Sequence, residues 1–263
     1  MYMYYHYNKV YQSDGISYEP EAEALFSAFT TPPTDARKSV INNTILIWKG
    51  NGFWDEADVI AVFDAETSQA GLVNWKNPAH TFTLVNSPTF TVDQGFTGNG
   101  TSSYIDLNWN PSVDAVKMTL NSTGMHCSSR SAGSANGVLV GGGDNNIHML
   151  SVSPKWGDGK LYTRINQPNA TFLNAINGDF AGDYTSKRTA SNAIEVFKDG
   201  SSLGTHTYAS DALTGRNLYA LCLNNNGTPQ LFVAKQISFL AFSSGVPTAI
   251  QARAGYQYYK GAI

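Results

Sequence analysis

The sequence predicts a mainly β protein in which two antiparallel sheets pack face to face as a sandwich. After Trp75 the chain is a series of short runs of alternating apolar and polar residues, separated by clusters of Gly, Asn, Asp and Pro. Lys198-Asp199-Gly200 lies between two such runs and has the Asp-Gly pair of a tight hairpin, whose two central residues need positive φ. With 263 residues the chain can bury one large β core or two modest domains, and the lack of a linker or repeat favours one body.

Composition excludes several classes of function. Hydrophobic residues make up 42% and charged residues 14% of the chain, which excludes a disordered protein. The net charge is −3 and no stretch concentrates positive charge, so nucleic acid is not expected as a partner. No run approaches the ~18 apolar residues that cross a bilayer. The start MYMYYHYNKVY also lacks the basic and apolar segments of a secretory signal. We therefore expect no membrane contact and no signal-directed export.

Residues 1–18 are predicted to form a tyrosine-rich N-terminal arm. Tyr2, Tyr4, Tyr5, Tyr7 and Tyr11 give a density of amphipathic rings that would be poorly soluble if left free in water. We expect these rings to dock. The surface is either the rest of this chain or a partner chain, where an extended aromatic segment can add to a sheet edge.

Residues 19–75 contain signals for the start and end of helices. They are predicted to be a helical lead-in that anchors the chain. In Pro32-Pro33-Thr34-Asp35 the prolines end any preceding helix and the next residues provide an N-cap. Apolar residues then recur at near 3.6-residue spacing to Trp48. Gly50-Asn51-Gly52 ends this helix. The segment TILIW within it is rich in β-branched residues, so a strand is the alternative. Asp64 is predicted to cap a second helix that runs toward Trp75.

Residues 76–263 are predicted to be the sandwich. Two further hairpin loops are expected at Trp156-Gly157-Asp158-Gly159 and at Asn224-Asn225-Asn226-Gly227. The predicted strands are residues 81–85, 90–92, 104–107, 116–120, 138–140, 148–153, 161–165, 185–189, 193–198, 201–208, 218–223 and 236–242.

A C-terminal helix is predicted over residues 247–260. Pro247 suits a first helical turn, and Ile250, Ala254 and Tyr258 fall on one stripe. We expect this helix to close the domain.

The two cysteines, Cys127 and Cys222, lie in strand-like segments. One pair is too few for the disulfide framework of a small extracellular protein. Buried free thiols are expected, with a disulfide between neighbouring strands as the alternative.

Several stretches of the chain resemble one protein family. The stretch LVNWKNPAHTFTLVNSPTFTVDQGFTGNGTSSYIDLNWNPS resembles a segment common in tailed-bacteriophage and prophage proteins with a laminin-G-like, concanavalin A-like jelly roll. The preceding DARKSVINNTILIWKGNGFWDEADVIAVFDAETSQAG is similar to the helical lead-in of those proteins. RTASNAIEVFKDGSSLG and KQISFLAFSSG are similar to their late hairpin and closing strand. The resemblance covers roughly residues 31–254.

This resemblance implies a two-sheet sandwich on the outside of a virion, as a tail appendage, a head fibre or a capsid decoration. Carbohydrate binding is a recurrent role of the fold. The resemblance implies no single activity, because this sandwich hosts lectins, glycan hydrolases and purely structural modules.

Catalytic residues are not expected. A retaining glycan hydrolase on this scaffold needs two carboxylates about 5–5.5 Å apart. The nearest candidates are Glu56, Asp58, Asp64 and Glu66 in DEADVIAVFDAE, but their spacing is broken and the segment falls in the predicted helical lead-in, not on a sandwich strand. The five histidines show no helical metal-site spacing.

Calcium is the one cofactor for which the sequence offers ligands. Laminin-G-like domains often hold a calcium ion at the sandwich rim, and Asp144 and Asn145 offer hard oxygen ligands next to flexible backbone carbonyls. The alternative is an ordinary turn, for which these residue types are equally suited.

Sugar recognition needs an exposed ring that stacks on the pyranose face, with amides or carboxylates nearby for the hydroxyls. The alternative for each candidate is a rim residue that packs its own loop. The candidate residues are Trp109, Asn110, Trp156, Asp158, Asn224 and Asn225.

The sequence therefore favours a non-enzymatic virion surface protein, anchored by its N-terminal region and displaying a jelly roll to host-surface glycans. The alternatives are a structural decoration protein without a ligand and a glycan-cleaving tail enzyme. Expected partners are capsid, tail or connector subunits and further copies of the chain as a homo-oligomer, whose repeated weak contacts add up to strong attachment. The expected location is the virion surface, after synthesis in the bacterial host cytoplasm.

Overall fold

A computed structural model describes residues 17–168, 173–176 and 178–263, so Tyr2, Tyr4, Tyr5, Tyr7 and Tyr11 lie outside the described residues. In the described ranges the helices are α1 Pro20–Ala28, α2 Asp35–Gly50, α3 Phe53–Glu56, α4 Ser68–Gly71, α5 Pro111–Asp114 and α6 Ala249–Ala262. The strands are β1 Ala57–Val62, β2 Thr83–Val85, β3 Thr89–Thr91, β4 Gly95–Thr97, β5 Tyr104–Asp106, β6 Thr123–Ser129, β7 Val140–Asp144, β8 Ile147–Ser153, β9 Lys160–Gln167, β10 Leu173–Ile176, β11 Gly182–Ala190, β12 Ala193–Lys198, β13 Ser201–Thr207, β14 Tyr219–Ala220, β15 Leu223–Asn225, β16 Thr228–Gln230 and β17 Gln236–Ser243.

The strands form two sheets that pack face to face, which confirms the predicted mainly β sandwich. The first sheet has the order β13-β12-β11-β6-β17-β4-β3, with β1 also beside β17. The second sheet has the order β10-β9-β8-β7-β14-β5-β2, with β15 beside β7 and β16. Strand β15 runs parallel to β7, whereas the neighbours along both orders are antiparallel. Leu150 and Ile165 of the second sheet meet Tyr184, Leu240 and Phe242 of the first in the main core.

A second core lies on the outer face of the first sheet, where α2 and α6 cover it. The Trp48 ring of α2 stacks on Phe239 of β17 with centroids 5.8 Å apart, and Tyr256 of α6 stacks on Phe239 at 4.6 Å. The indole Nε1 of Trp48 donates to the Ala252 carbonyl at 2.9 Å, so its polar atom is satisfied inside the helical layer. No helix in the described ranges is long and apolar enough to span a bilayer.

The structure confirms the first predicted helix and shortens the second. Thr34 caps α2 by accepting a hydrogen bond from the Arg37 backbone N–H at 3.2 Å. TILIW is helical, and its Ile45 and Trp48 side chains face the second core. The second predicted helix is reduced to α4, and its cap is Thr67 rather than Asp64. The Asp64 carboxylate is buried and accepts a hydrogen bond from Arg130 at 2.7 Å, so it is used in a tertiary contact.

Strand β1 corrects the expectation that DEADVIAVFDAE lies outside the sandwich. It pairs antiparallel with β17 inside the first sheet. Val59 and Ala61 face the main core, and Ile60 and Val62 face the helical layer. A strand that is covered on both faces has a continuous apolar run rather than alternation, which is why it was not recognised as part of the sandwich.

The predicted strand at residues 116–120 was wrong. The backbone N–H groups of Val116, Lys117 and Met118 donate to the Asp58 carboxylate at 2.8–3.1 Å and not to a neighbouring strand. The strand that follows is β6, at the centre of the first sheet, and its sequence TGMHCSS has no apolar alternation. Each of the other predicted strands overlaps an observed one.

The predicted hairpin turns are confirmed. Asp199 and Gly200 have φ of 51° and 85° between β12 and β13, as a type I′ turn requires. Asn226 and Gly227 have φ of 54° and 87° between β15 and β16. The loop that begins at Trp156 joins β8 to β9.

The C-terminal helix is confirmed, but its inward face differs from the predicted stripe. Ile250 and Tyr258 are 66% and 38% exposed, whereas Ala252, Tyr256 and Tyr259 are buried against the first sheet and α2. The buried set also follows helical spacing, and its tyrosines bury more apolar surface than the predicted stripe does.

Both cysteines are buried free thiols, as expected. Cys127 lies on β6 of the first sheet, and Cys222 lies between β14 and β15 of the second. Burial raises the pKa of both thiols far above the ordinary value, so neither is a reactive thiolate at neutral pH.

Asp64 is expected to make stability depend on pH. Burial raises its pKa from 3.8 to about 6, against the lowering effect of hydrogen bonds from Arg130 and Tyr256. Its contribution to the unfolding free energy is therefore fully present below pH 4 and is lost as the pH rises through about 6. Relative to Asp64→Asn, the wild type is expected to gain about 2 kcal/mol between pH 7 and pH 4, measured by urea unfolding at each pH. A difference that does not change with pH would contradict this assignment.

Candidate functional site

A pocket of 360 Å³ opens on the outer face of the second sheet, the face that points away from the main core. Along β9, Leu161, Thr163 and Ile165 are buried, and Tyr162 and Arg164 alternate with them and project outward. The volume lies near the lower end of the roughly 300–1,000 Å³ typical of small-molecule sites. The lining residues are Val138, Asn146, Ser153, Trp156, Tyr162, Arg164, Leu223, Gln230 and Leu231.

The pocket has an apolar floor. Val138 and Leu223 are buried with Met149 in a small hydrophobic cluster that is separate from the main core. Leu231, just after β16, has φ +55° and is 41% exposed. A bulky residue rarely adopts this left-handed conformation. The backbone N–H of Val138 donates to the Leu231 carbonyl at 2.8 Å. This hydrogen bond helps to hold the apolar side chain of Leu231 at the edge of the pocket.

One wall is aromatic. The Trp156 ring lies edge-on to Tyr162 with centroids 6.1 Å apart. The Tyr162 hydroxyl donates to the Asp158 carboxylate at 2.5 Å, and that bond lowers the pKa of Asp158. The Trp156 backbone N–H donates to the Lys160 carbonyl at 2.7 Å, which closes the turn. The hydrogen bond to Asp158 positions the Tyr162 ring, and the Trp156 ring packs against it.

The opposite wall is formed by two turns that are hydrogen-bonded to each other. The Asn146 backbone N–H donates to Asn225 Oδ1 at 3.0 Å, and Asn225 Nδ2 donates to Asn146 Oδ1 at 3.2 Å. The Asn226 backbone N–H also donates to the Gly143 carbonyl at 2.8 Å. The β7–β8 turn and the β15–β16 hairpin are therefore held as one unit.

The structure brings some of the predicted sugar-binding residues together. Trp156 lines the pocket, Asp158 holds the neighbouring Tyr162, and Asn225 holds Asn146. Asn224 is 2% exposed and its side chain bonds the Asn217 carbonyl and the Gly227 N–H, so it shapes the hairpin and is not available to a sugar.

Trp109 and Asn110 lie outside this pocket, and the burial of Trp109 corrects its prediction as a sugar-stacking ring. The Trp109 ring is 4% exposed and stacks on Phe242 at 5.2 Å in the main core, so it cannot stack on a sugar. Asn110 caps α5 by accepting from the Ser112 N–H at 3.0 Å and donates to the Gly215 carbonyl at 2.8 Å. An aromatic residue next to asparagines is equally typical of a core residue beside a helix cap.

The candidate calcium ligands are used in other ways. The Asp144 carboxylate accepts from Arg216 Nε at 3.0 Å and from the Gly215 N–H at 2.9 Å, and His148 lies 3.4 Å away. Asn145 has φ +52° in the β7–β8 turn. A carboxylate already paired with a guanidinium is a poor calcium ligand. In the described ranges no group of three or more His, Cys, Asp or Glu residues is placed to hold a metal.

The carboxylates of DEADVIAVFDAE serve separate structural contacts. Glu56 accepts from the Ser244 hydroxyl at 2.5 Å, Asp58 binds three backbone N–H groups, and Asp64 binds Arg130. Glu66 lies 3.9 Å from Arg37. Each group has its own partner.

Sequence reasoning missed Tyr162, Arg164, Gln230 and Leu231. A signal was present for the first two, because KLYTRINQ alternates an inward set with an outward set that contains a ring and a guanidinium. Leu231 had no local signal, because its exposure depends on a backbone conformation that leucine seldom adopts.

Comparisons with known proteins support the fold. No protein-family model matches the chain, and no curated protein does. The binding domain of botulinum neurotoxin serotype D matches at TM-score 0.53 and 9% identity, covering 79% of this chain and 53% of that one. This chain therefore spans about half the length of that domain.

Two further solved structures were determined with bound sugars. Domain 4 of AbnA, an extracellular arabinanase from Geobacillus stearothermophilus, holds arabinotriose. It matches at TM-score 0.46 and 15% identity, covering 76% of this chain and 98% of that one. The Ruminococcus gnavus sialidase module CBM40 holds α2,6-sialyllactose and matches at TM-score 0.41 and 15% identity, covering 62% and 90%. At these identities the comparisons show the sandwich fold alone.

Trp156 is expected to be the one tryptophan that solvent reaches. The other four, Trp48, Trp54, Trp75 and Trp109, are at most 4% exposed. Acrylamide should quench a distinct part of the fluorescence of the wild type and almost none of that of Trp156→Phe. Trp109→Phe is the matched control and should leave the quenchable part intact. Equal quenching of the wild type and Trp156→Phe would show that the pocket is closed to solvent.

Proposed function

We propose that this protein binds glycans in the pocket beside Trp156 and does not cleave them. The observation that carries the proposal is the chemistry of the lining: two aromatic rings, two amides and a guanidinium surround an apolar floor. Sugars present apolar C–H faces and a rim of hydroxyls, so a site for them needs rings together with planar polar groups.

The pocket is also rigid enough to bind without large ordering costs. Trp156 and Tyr162 are held by the turn and by Asp158, and Asn146 is held by Asn225. Groups that are already in position lose little conformational entropy when a ligand arrives. Asn146 and Gln230 then offer donors and acceptors for hydroxyls across the pocket from the rings.

Cleavage is not proposed, because the described residues that line the pocket include no carboxylate. The nearest acidic group on the adjoining turn, Asp158, is bound to the Tyr162 hydroxyl and the Lys160 N–H. Glycosidic hydrolysis ordinarily uses a pair of carboxylates.

The proposed setting is the surface of a tailed-phage particle, as a head fibre, a capsid decoration or a tail appendage. The sequence resemblance given above supports this setting. In it, the N-terminal region attaches the chain to capsid, tail or connector subunits and the second sheet faces outward. Many copies then turn weak binding at each pocket into firm attachment through effective concentration. A decoration protein without a ligand and a glycan-cleaving tail enzyme are the alternatives.

Trp156→Ala is expected to weaken glycan binding by about tenfold or more, because it removes a stacking ring from a desolvated pocket. The measurement is a glycan array followed by titration of the glycans that bind the wild type. Tyr258→Ala is the matched control, because it removes a part-exposed ring from α6 on the opposite side of the sandwich.

Reproducible binding that Trp156→Ala and Tyr258→Ala reduce equally would place the site elsewhere. No binding by the wild type to any glycan would favour the decoration protein. A fall in polymer size during incubation with host polysaccharide would instead show a cleaving enzyme.

Deletion of residues 1–16 is expected to leave the fold intact and to prevent incorporation into particles. The deletion keeps Tyr18, whose ring packs edge-on to Phe26 of α1 at 5.2 Å. Thermal unfolding tests the first outcome, and immunodetection in purified particles tests the second. Trp156→Ala, which alters the pocket alone, should be incorporated normally. Particles that still carry the truncated chain would show that the anchor lies in another segment.

A further inference from the structure

We infer that the glycan recognised by this pocket carries a negatively charged group, and that Arg164 binds it. This inference rests on the proposed function and specifies the class of ligand. Among the described residues that line the pocket, Arg164 carries the only charge.

The fold places this charge in the pocket by strand alternation. Arg164 follows Tyr162 by two residues on β9, so both side chains leave the same outer face of the second sheet. Across the sheet, Arg164 is opposite Ser151 and Tyr162 is opposite Ser153. Both serines are small and buried, which leaves the larger side chains of β9 to form the wall.

The guanidinium lies in a partly desolvated position. Arg164 is partly buried, and this burial lowers its pKa. A cation that has lost part of its hydration gains most from a ligand that brings a charge-assisted hydrogen bond into the same low-dielectric space. A neutral hydroxyl offers a weaker acceptor at the same position.

The acidic group on the adjoining turn, Asp158, has hydrogen-bond donors of its own. Asp158 accepts from the Tyr162 hydroxyl and from the Lys160 backbone N–H, so its oxygens are directed into its own turn. Lys155 lies on the same loop, and its ammonium donates to the Gly178 carbonyl at 2.8 Å. Arg164 therefore gives the wall of the pocket a positive charge, which favours an anionic ligand over a neutral one.

Guanidinium geometry suits carboxylates and the tetrahedral oxyanions of sulfate or phosphate esters. The planar fork donates two parallel hydrogen bonds to two oxygens of one such group. These groups share one property: each is an anionic substituent on a sugar ring. The substituent must be small enough for the sugar ring to stay beside Trp156.

The test compares two pairs of immobilised polymers that differ in charge. Polygalacturonate and its methyl ester report on a carboxylate, and dextran sulfate and dextran report on a sulfate. The wild type is expected to bind the charged member of at least one pair about tenfold or more tightly than its neutral parent, an advantage that falls with added NaCl. Arg164→Gln should bind both members of that pair equally. Arg164→Lys should recover part of the preference, because it keeps the charge and loses the fork.

The possible results separate this inference from the proposed function. The inference of an anionic ligand would be overturned if the wild type bound charged and neutral members equally. Binding to neutral glycans alone on the array would overturn it as well. Either result would leave the proposal of glycan binding in place. A charge preference that persists in Arg164→Gln, with its thermal unfolding unchanged, would also overturn the role of Arg164. No wild-type binding to any glycan would overturn the proposed function itself.

Discussion

The double burial of strand β17 is the constraint on which the rest of the structure depends. Its Leu240 and Phe242 side chains enter the main core between the sheets, and Phe239 and Ala241 enter the second core under α2 and α6. A bulge near Ile237 shifts the register against β6, so that Ile237 and Leu240 reach the same core although they are an odd number of residues apart. One eight-residue strand therefore ties the sandwich to the helical layer, and polar substitutions on either face should disturb both.

The helical layer also determines which face is open to a ligand. Because α2 and α6 cover the outer face of the first sheet, the pocket lies on the outer face of the second. There, the β15–β16 hairpin, which pairs with β7, borders the pocket together with Trp156 and Tyr162. The paired turns at Asn146 and Asn225 keep the pocket from collapsing. Support for the fold and access for a ligand are thus divided between the two sheets.

Buried polar groups connect strands and helices whose relative positions the hydrophobic cores alone would not fix. Arg188 of β11 is 0% exposed and donates to the Ile165 carbonyl of the second sheet at 2.8 Å and to the Ser191 and Tyr208 carbonyls at 2.7 and 2.8 Å. Its pKa falls to about 10 because burial disfavours the charged form, and its partners among these contacts are carbonyl dipoles rather than a carboxylate. Asp64 similarly joins β1 to Arg130 and α6. Hydrophobic packing between two elements is not directional. Hydrogen bonds from buried polar groups such as these fix how the elements are oriented.

The sequence by itself determined the sandwich class, the tight turns, the two long helices and the presence of Trp156 in a loop, because each follows from local periodicity or turn chemistry. It could not show that β1 and β6 lie inside the first sheet, since strands covered on both faces lack alternation. It could not separate Trp156 from Trp109, because both have the same kind of neighbours in sequence. Only the tertiary structure decided that one ring lies in a core and the other beside Arg164, since exposure depends on which distant strands pack against each residue.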